Sequence, residues 1–374
     1  MKYFLIAGEA SGDLHASNLM KEIIKKDSQA IFEFLGGNLM QNVAHKNPVI
    51  HYKEMAFMGI FDVVKNLFKI FKNLKVTKRA IVNFQPDVVI LVDYPGFNLK
   101  IAKFTHQKGF KTHYYIAPKI WAWKEGRIKL FKKYIDKLYI ILPFEKDFYQ
   151  KHNYPAIYVG NPVVDAIRNY TYLSHKEFLN KFNLTEKPII ALLPGSRKSE
   201  LQGTLNTMLQ VQKYFTDYQF VISGAPGFKT NFYQRILQER NIPVVFDYTY
   251  DLIKNAHMAI VTSGTATLET ALIKTPQVVV YKVGNLQYNL FKNLIKIKYF
   301  SLVNLILNKE AVPELIQKTF NAERIKQELD NIKQGEGQQK MLENYNELEE
   351  LLGDKSASRT TAKYIVDDLT FYSK

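Results

Sequence analysis

The chain has 374 residues, 47% hydrophobic and 23% charged, a globular rather than a disordered composition and length enough for two ordinary domains. It has no cysteine, which excludes disulfides, thiolate catalysis and cysteine-based zinc sites. A formal net charge of +16 favours partners that carry phosphate or other anions: nucleic acid, a membrane surface or a phosphorylated ligand.

The first apolar run, residues 3–7, leads into Gly8 and Glu9 with no small-residue cleavage site. It reads as a strand rather than a leader peptide, which places the chain in the cytoplasm. Nothing approaches the ~20 consecutive apolar residues that a spanning helix needs. Runs at 31–35, 88–92, 112–116 and 138–142 read as further buried strands, with amphipathic helices such as 14–26 and 60–83 between them. After Gly160-Asn161-Pro162 the pattern begins again. Ser174 with Glu177 forms a capping-box signature, and runs at 189–193, 220–223, 258–262 and 277–281 supply a second set of strands. Residues 357–371 read as a last helix. Strands spaced by helices predict parallel sheets covered on both faces. The expected fold class is α/β, two Rossmann-like doubly wound domains facing a cleft. Their expected bounds are 1–165 and 166–355, with a helix in 356–374 packing back on the first.

Ligands of such sheets bind beyond the carboxyl ends of the strands, so the loops there carry the candidates. The first strand is followed by Gly8-Glu9-Ala10-Ser11-Gly12-Asp13. Glycines let a ligand approach a helix N-terminus, yet Asp13 could equally well only cap a helix; the residues leave both readings open. The run 88–92 ends in Asp93-Tyr94-Pro95-Gly96-Phe97-Asn98, and Asp93 stands where a general base for a hydroxyl acceptor would stand. In the second half, Leu192-Leu193-Pro194-Gly195-Ser196-Arg197 follows a strand, and Thr262-Ser263-Gly264-Thr265-Ala266-Thr267-Leu268-Glu269 spans a strand-to-helix junction. Ser263, Gly264 and Thr265 at a helix N-terminus suit a diphosphate. Glu269, one turn in, suits ribose hydroxyls, and Arg197 suits the charge of a departing diphosphate. No Asp-x-Asp and no histidine cluster with ligand spacing occurs, so neither metal nor cofactor is expected. His15, His113 and His152 show no partner and read as structural. Trp121 and Trp123, in an extended segment, would place both rings on one surface.

Residues 59–79 carry an apolar stripe of Ile60, Val63, Val64, Leu67, Phe68, Phe71 and Leu74, flanked by five lysines and Arg79 against the single acid Asp62. A basic amphipathic helix of this kind reads as membrane-surface, although a stripe packed on a sheet gives the same periodicity. Residues 286–300 repeat the style. Because the cations flank apolar stripes rather than form a patch among exposed aromatics, nucleic acid is not the expected partner.

Taken in order, Gly8-Glu9-Ala10-Ser11-Gly12-Asp13, Met58-Gly59-Ile60, Asp93-Tyr94-Pro95-Gly96-Phe97-Asn98, Trp121-Ala122-Trp123, Leu142-Pro143-Phe144-Glu145, Leu193-Pro194-Gly195-Ser196-Arg197, Ser263-Gly264-Thr265-Ala266-Thr267-Leu268-Glu269 and Ser301-Leu302-Val303-Asn304 make the chain resemble the lipid-A-disaccharide synthases over almost its whole length. The resemblance implies a GT-B fold and an inverting, metal-independent transfer. UDP-2,3-diacylglucosamine would be the donor and 2,3-diacylglucosamine 1-phosphate (lipid X) the acceptor, joined β-1,6 with release of UDP. It implies Asp93 as base and Glu9 as an acceptor-side catalytic residue. Substrate-binding residues would be Ser11, Asp13, Arg197, Ser263, Gly264, Thr265, Glu269 and Asn304. Phe61, Val64, Leu67, Ile70 and Phe71 would contact the membrane, placing the protein peripherally on the cytoplasmic face of a Gram-negative-type inner membrane, with a homo-oligomer left open. Gly96 stands where many members have a second Asp, which removes a paired-carboxylate mechanism, and Asn161 stands where many have His. The rival reading is another GT-B UDP-hexosamine transferase with a lipid-linked acceptor, of the peptidoglycan type.

Overall fold

The computed structural model describes residues 1–55, 66–123, 125–196, 198–225, 227–282 and 298–371. Contacts divide the chain into two units, one of Met1–Pro162 with Asp354–Lys374, the other of Val163–Gly353.

The first unit is built on seven parallel strands, β1 Lys2–Ala7, β2 Ile31–Gly36, β3 Ile50–His51, β4 Val88–Val92, β5 Thr112–Tyr115, β6 Lys137–Ile140 and β7 Ala156–Tyr158, in the order β3-β2-β1-β4-β5-β6-β7. Side chains alternate across a strand, so each apolar run serves two cores. Tyr3, Leu5 and Ala7 join Val88, Ile90 and Val92 on one face. Helix α1, Ala10–Ile24, covers that face with Ala16, Leu19, Met20 and Ile23, and the C-terminal helix Ala357–Phe371 covers it with Ala362, Ile365 and Leu369. Phe4, Ile6, Val89 and Leu91 face the other way. There they meet Leu74 and Ile81 of helix α3, Leu67–Phe84, and Phe97, Ile101 and Ala102 of helix α4, Pro95–Gln107; α2, Asn38–Ala44, follows β2. Fully burying one such side chain is worth about 1.5–3 kcal/mol.

The C-terminal helix is also held electrostatically. Asp368 lies 3.2 Å from Lys111 Nζ, 3.4 Å from His113 Nε2 and 3.7 Å from Lys137 Nζ. The neighbouring His113 imidazole, then Lys111, hold the Asp368 carboxyl far below its usual range. Burial pushes the His113 imidazole down. His113 also meets Tyr139 Oη at 3.3 Å, and His152 meets Glu125 at 3.0 Å. Both histidines therefore have partners, which the sequence reading denied them, and in both cases the partner is remote in sequence. For His15 burial pushes the pKa down to about 4.

The second unit has six parallel strands, β8 Ile189–Leu193, β9 Gln219–Gly224, β10 Val244–Phe246, β11 Ala256–Thr262, β12 Gln277–Tyr281 and β13 Glu314–Ile316, in the order β10-β9-β8-β11-β12-β13. Ser174 caps the helix His175–Phe182: its side chain accepts from Glu177 N–H while Glu177 reaches back to the cap, as the signature predicts. Ile189, Ala191, Leu193, Val221, Ala259 and Val261 form one core with Leu252 and Ile253. Each sheet runs outward in both directions from its first strand, the doubly wound pattern. Among the described residues no helix is long and apolar enough to cross a membrane.

Candidate active site

In the first unit the strand order reverses between β1 and β4, since β2 lies on one side and β5 on the other. A doubly wound sheet opens its ligand crevice at such a point. Gly8 and Glu9 leave β1 there, and Asp93 and Tyr94 leave β4. The two loops touch: a Cβ on Gly8 would lie 2.3 Å from the Tyr94 ring, so only glycine allows this contact. Glu9 is half-buried at the extended N-cap position of α1 and makes no side-chain capping bond. Ser11 is exposed.

Asp13 is buried, and its oxygens accept from the N–H groups of Gly37 (2.7 Å), Leu39 (3.1 Å) and Met40 (3.2 Å). It thus caps α2, a different helix from the one it sits on.

Asp93 and Tyr94 both take left-handed backbone conformations, with φ of 45° and 48°. For non-glycine residues this costs roughly 1–2 kcal/mol each. The Asp93 carboxylate is half-buried. Burial, then the negative charge of Glu9, push its pKa up from 3.8 to about 6, against the Tyr94 N–H and the Lys119 cation. The negative charge that acts on Asp93 from outside its own loop is thus that of Glu9, carried by the neighbouring strand's loop. A Cβ at Gly96 would meet nothing within 4 Å, so that position is open space.

The next loops along this carboxyl edge, after β5 and β6, carry two groups that the sequence reading missed. Glu145 is fully buried; it accepts from Trp121 Nε1 at 3.1 Å and Leu142 N–H at 3.0 Å, and burial pushes it up to about 7. Lys119 is exposed, and its charge lowers both Asp93 and Glu145. The Trp121 ring meets Phe144 edge-on at 4.9 Å. Residues Ile120–Trp123 are a short helix, not the extended segment expected. The Leu-Pro-Phe-Glu string was the available signal for Glu145.

In the second unit the order reverses between β8 and β11. After β8, Gly195 has a φ of +96°, and a Cβ there would lie 2.6 Å from Glu200 Oε2, which accepts from Ser196 N–H at 3.2 Å. Arg197 lies outside the described residues. After β11, Gly264 is the N-cap of helix α5, Thr265–Leu272, and having no side chain it supplies no capping bond to the first amides of α5. Thr265 is exposed there. Ser263 donates to Phe300 C=O at 2.8 Å. Glu269 is half-buried, accepts from Tyr250 Oη at 3.1 Å, and is pushed up by burial. Tyr250 in turn packs edge-on against Tyr170 at 5.1 Å.

Asn304 makes its bonds within the protein. It is fully buried in helix α6, Leu302–Leu307, and both ends of its amide are bonded: Nδ2 to Val312 C=O and Glu314 at 2.8 Å, Oδ1 from Ala311 N–H at 2.8 Å and Val312 N–H at 2.9 Å. Glu314 also accepts from the N–H groups of Phe300 (2.8 Å) and Ser301 (2.9 Å). Asn304 thus supports the turn on which Ser263 leans. Among the described residues no three His, Cys, Asp or Glu side chains are grouped to hold a metal ion.

On α3, Phe68 is 87% exposed, Phe71 60% and Leu67 43%. Ile70, expected on that face, is half-buried against the core with Leu74 instead. The helix has two apolar stripes, 67-68-71 outward and 70-74-81 inward. Lys69, Lys72, Lys75 and Arg79 are exposed, and the helix has no acid. Phe61 and Val64 lie outside the described residues, as does most of 286–300.

The family model described as Lipid-A-disaccharide synthetase matches residues 3–366. The lipid-A-disaccharide synthase of Geobacter metallireducens is 35% identical over 335 residues, 88% of this chain and 86% of that protein. The lipid-A-disaccharide synthase of Trichlorobacter lovleyi is 32% identical over 373 residues, 98% and 97% of the two chains. Among solved structures, the UDP-GlcNAc 2-epimerase of Methanocaldococcus jannaschii, in complex with UDP-GlcNAc and UDP, superposes with a TM-score of 0.66 at 14% identity over 99% of this chain and 100% of that one. The glycotransferase of kitacinnamycin gives 0.66 at 10% identity over 98% and 99%. At such identities the likeness shows the fold alone, which is GT-B-like.

Proposed function

The chain belongs to the lipid-A-disaccharide synthase family and is a glycosyltransferase of lipid A biosynthesis; from that premise we propose that it joins UDP-2,3-diacylglucosamine to lipid X with Asp93 as the base. The first unit takes the acceptor and the second the UDP-sugar. Asp93 removes the proton of the acceptor 6-hydroxyl. The oxygen attacks the anomeric carbon from the face opposite the diphosphate, the bond to UDP breaks, and the new β-1,6 bond forms. Arg197 and the N-terminus of α5 take the charge that develops on the leaving diphosphate, and Glu269 accepts from ribose hydroxyls.

The observation that carries the reading is the state of Asp93. A base works best with a pKa near the working pH, and burial together with Glu9 brings this carboxyl to about 6. Glu9 acts in the same step by holding that value. The outward stripe Leu67, Phe68 and Phe71, set among exposed lysines, supports docking on an anionic membrane that delivers the acylated substrates. The test is incubation with UDP-2,3-diacylglucosamine and lipid X. The expected products are UDP and the β-1,6 disaccharide 1-phosphate; UDP without disaccharide, or neither product, refutes the assignment.

A further inference from the structure

The loop that presents Asp93 is held from behind by groups no ligand can reach. The Asp93 C=O accepts from Tyr114 Oη at 2.5 Å and from Asn98 Nδ2 at 2.7 Å, and Asn98 Nδ2 also donates to Val92 C=O at 3.2 Å. Both side chains are fully buried. The Asp93 N–H donates to Tyr115 C=O at 3.2 Å, so the peptide groups on both sides of Asp93 are tied. Tyr94 is pinned in turn, its hydroxyl on Met55 C=O at 2.6 Å and its ring over Gly8.

These ties oppose a conformational preference. Two consecutive non-glycine residues in the left-handed region persist only when the surroundings over-determine them, and such strain gathers where a side chain must be aimed. Val92 points into one core, so an extended residue 93 would point into the other, where a carboxylate has no place. The left-handed turn takes Asp93 out of that alternation to the carboxyl edge of the sheet. Asn98 bears a cost for it: its buried Oδ1 has no partner among the described residues, so the amide is kept for its donor end.

We propose that Tyr114 and Asn98 are positioning residues of the transfer reaction, a clamp on the Asp93 main chain that aims the carboxylate at the acceptor hydroxyl. The inference rests on the reading of Asp93 as base. The experiment compares purified Tyr114→Phe and Asp93→Asn with the parent enzyme, measuring thermal unfolding, kcat, acceptor KM and the kcat–pH profile. Tyr114→Phe removes one oxygen and keeps the ring in the core. It is expected to fold, to lose roughly 10–100-fold in kcat with little change in acceptor KM, and to move the acid limb from near 6 toward the ordinary carboxylate range as Asp93 relaxes into water. If it does not fold, Asn98→Ser is read by the same criteria. An inactive Asp93→Asn beside a clamp variant with parental kcat and parental acid limb overturns the clamp alone. Turnover that survives in Asp93→Asn overturns the base assignment, and the clamp with it.

Discussion

Replacing Asp93 by Asn should make the protein more stable and nearly inactive. A carboxyl whose folded pKa is raised binds protons more tightly folded than unfolded, so its stability contribution falls as pH rises through the window between the two values. Here that window runs from 3.8 to about 6. At 1.36 kcal/mol per pH unit, the ionised form costs ~3 kcal/mol at most, and ~1–3 once the water reaching a half-buried group is counted. Asn has the same shape, tolerates left-handed φ as well as Asp, and carries no charge to desolvate or to repel Glu9. At pH 8 the variant should therefore melt higher, by roughly 2–4 °C per kcal/mol for a unit of this size. At pH 4, where Asp93 is largely protonated, the gap should close. Turnover should fall ~10²–10⁴-fold, the usual share of a general base. Melting curves at the two pH values with a UDP-release assay test both halves. A variant no more stable at pH 8, or equally stabilised at pH 4, refutes the electrostatic account; near-parental turnover refutes the role as base.

Glu9→Gln removes the neighbouring charge, so the acid limb of the kcat–pH profile should move below its parental position near 6; an unmoved limb would separate Glu9 from Asp93. Changing Leu67, Phe68 and Phe71 together to Ser should abolish most binding to anionic vesicles while leaving the melting midpoint almost unchanged, since all three are exposed. Ile70→Ser should do the reverse, losing about 1–2 kcal/mol of stability at a half-buried site, and unfolding of the triple variant would make the outer stripe a core face. Asp368→Ala leaves Lys111, His113 and Lys137 facing one another and should cost ~1–3 kcal/mol, read by denaturant titration. In the parent, stability should fall below pH ~6.5, where the unfolded chain takes up the proton that buried His113 resists, and again below ~4 as Asp368 is protonated; the lower step should shrink in the variant.

The central strands of both sheets can be read directly from sequence, because a strand buried on both faces is an unbroken apolar run. The four strands missed, β3, β7, β10 and β13, are the four edges. Edge strands are two or three residues long here and half-covered, so they leave no run to find. Asp93 was legible because its place follows from β4 alone. The Glu9–Asp93 pair was not, since it depends on β1 and β4 being neighbours although residues 9 and 93 are far apart in sequence. For Asp13 and Asn304 the sequence shows a polar residue inside a motif but not its partners, which are backbone groups that only the folded chain brings near. Periodicity found the apolar character of α3 and not its orientation, because a helix with two stripes satisfies the same spacing whichever one faces the core.

The C-terminal helix closes a face whose other parts are made at the start of the chain. During synthesis the whole of Val163–Gly353 is completed in between, a delay of about 10–40 s at 5–20 residues per second. For that time the sheet carrying Tyr3, Leu5 and Ile90 has α1 over it but lacks Ala362, Ile365 and Leu369, while the second unit, a continuous stretch, can finish first. The later segment can thus be completed before the earlier one, whose apolar face stays without its second cover until residues 357–371 emerge. A ribosome that stops after residue 353 would release one complete unit attached to one that cannot close.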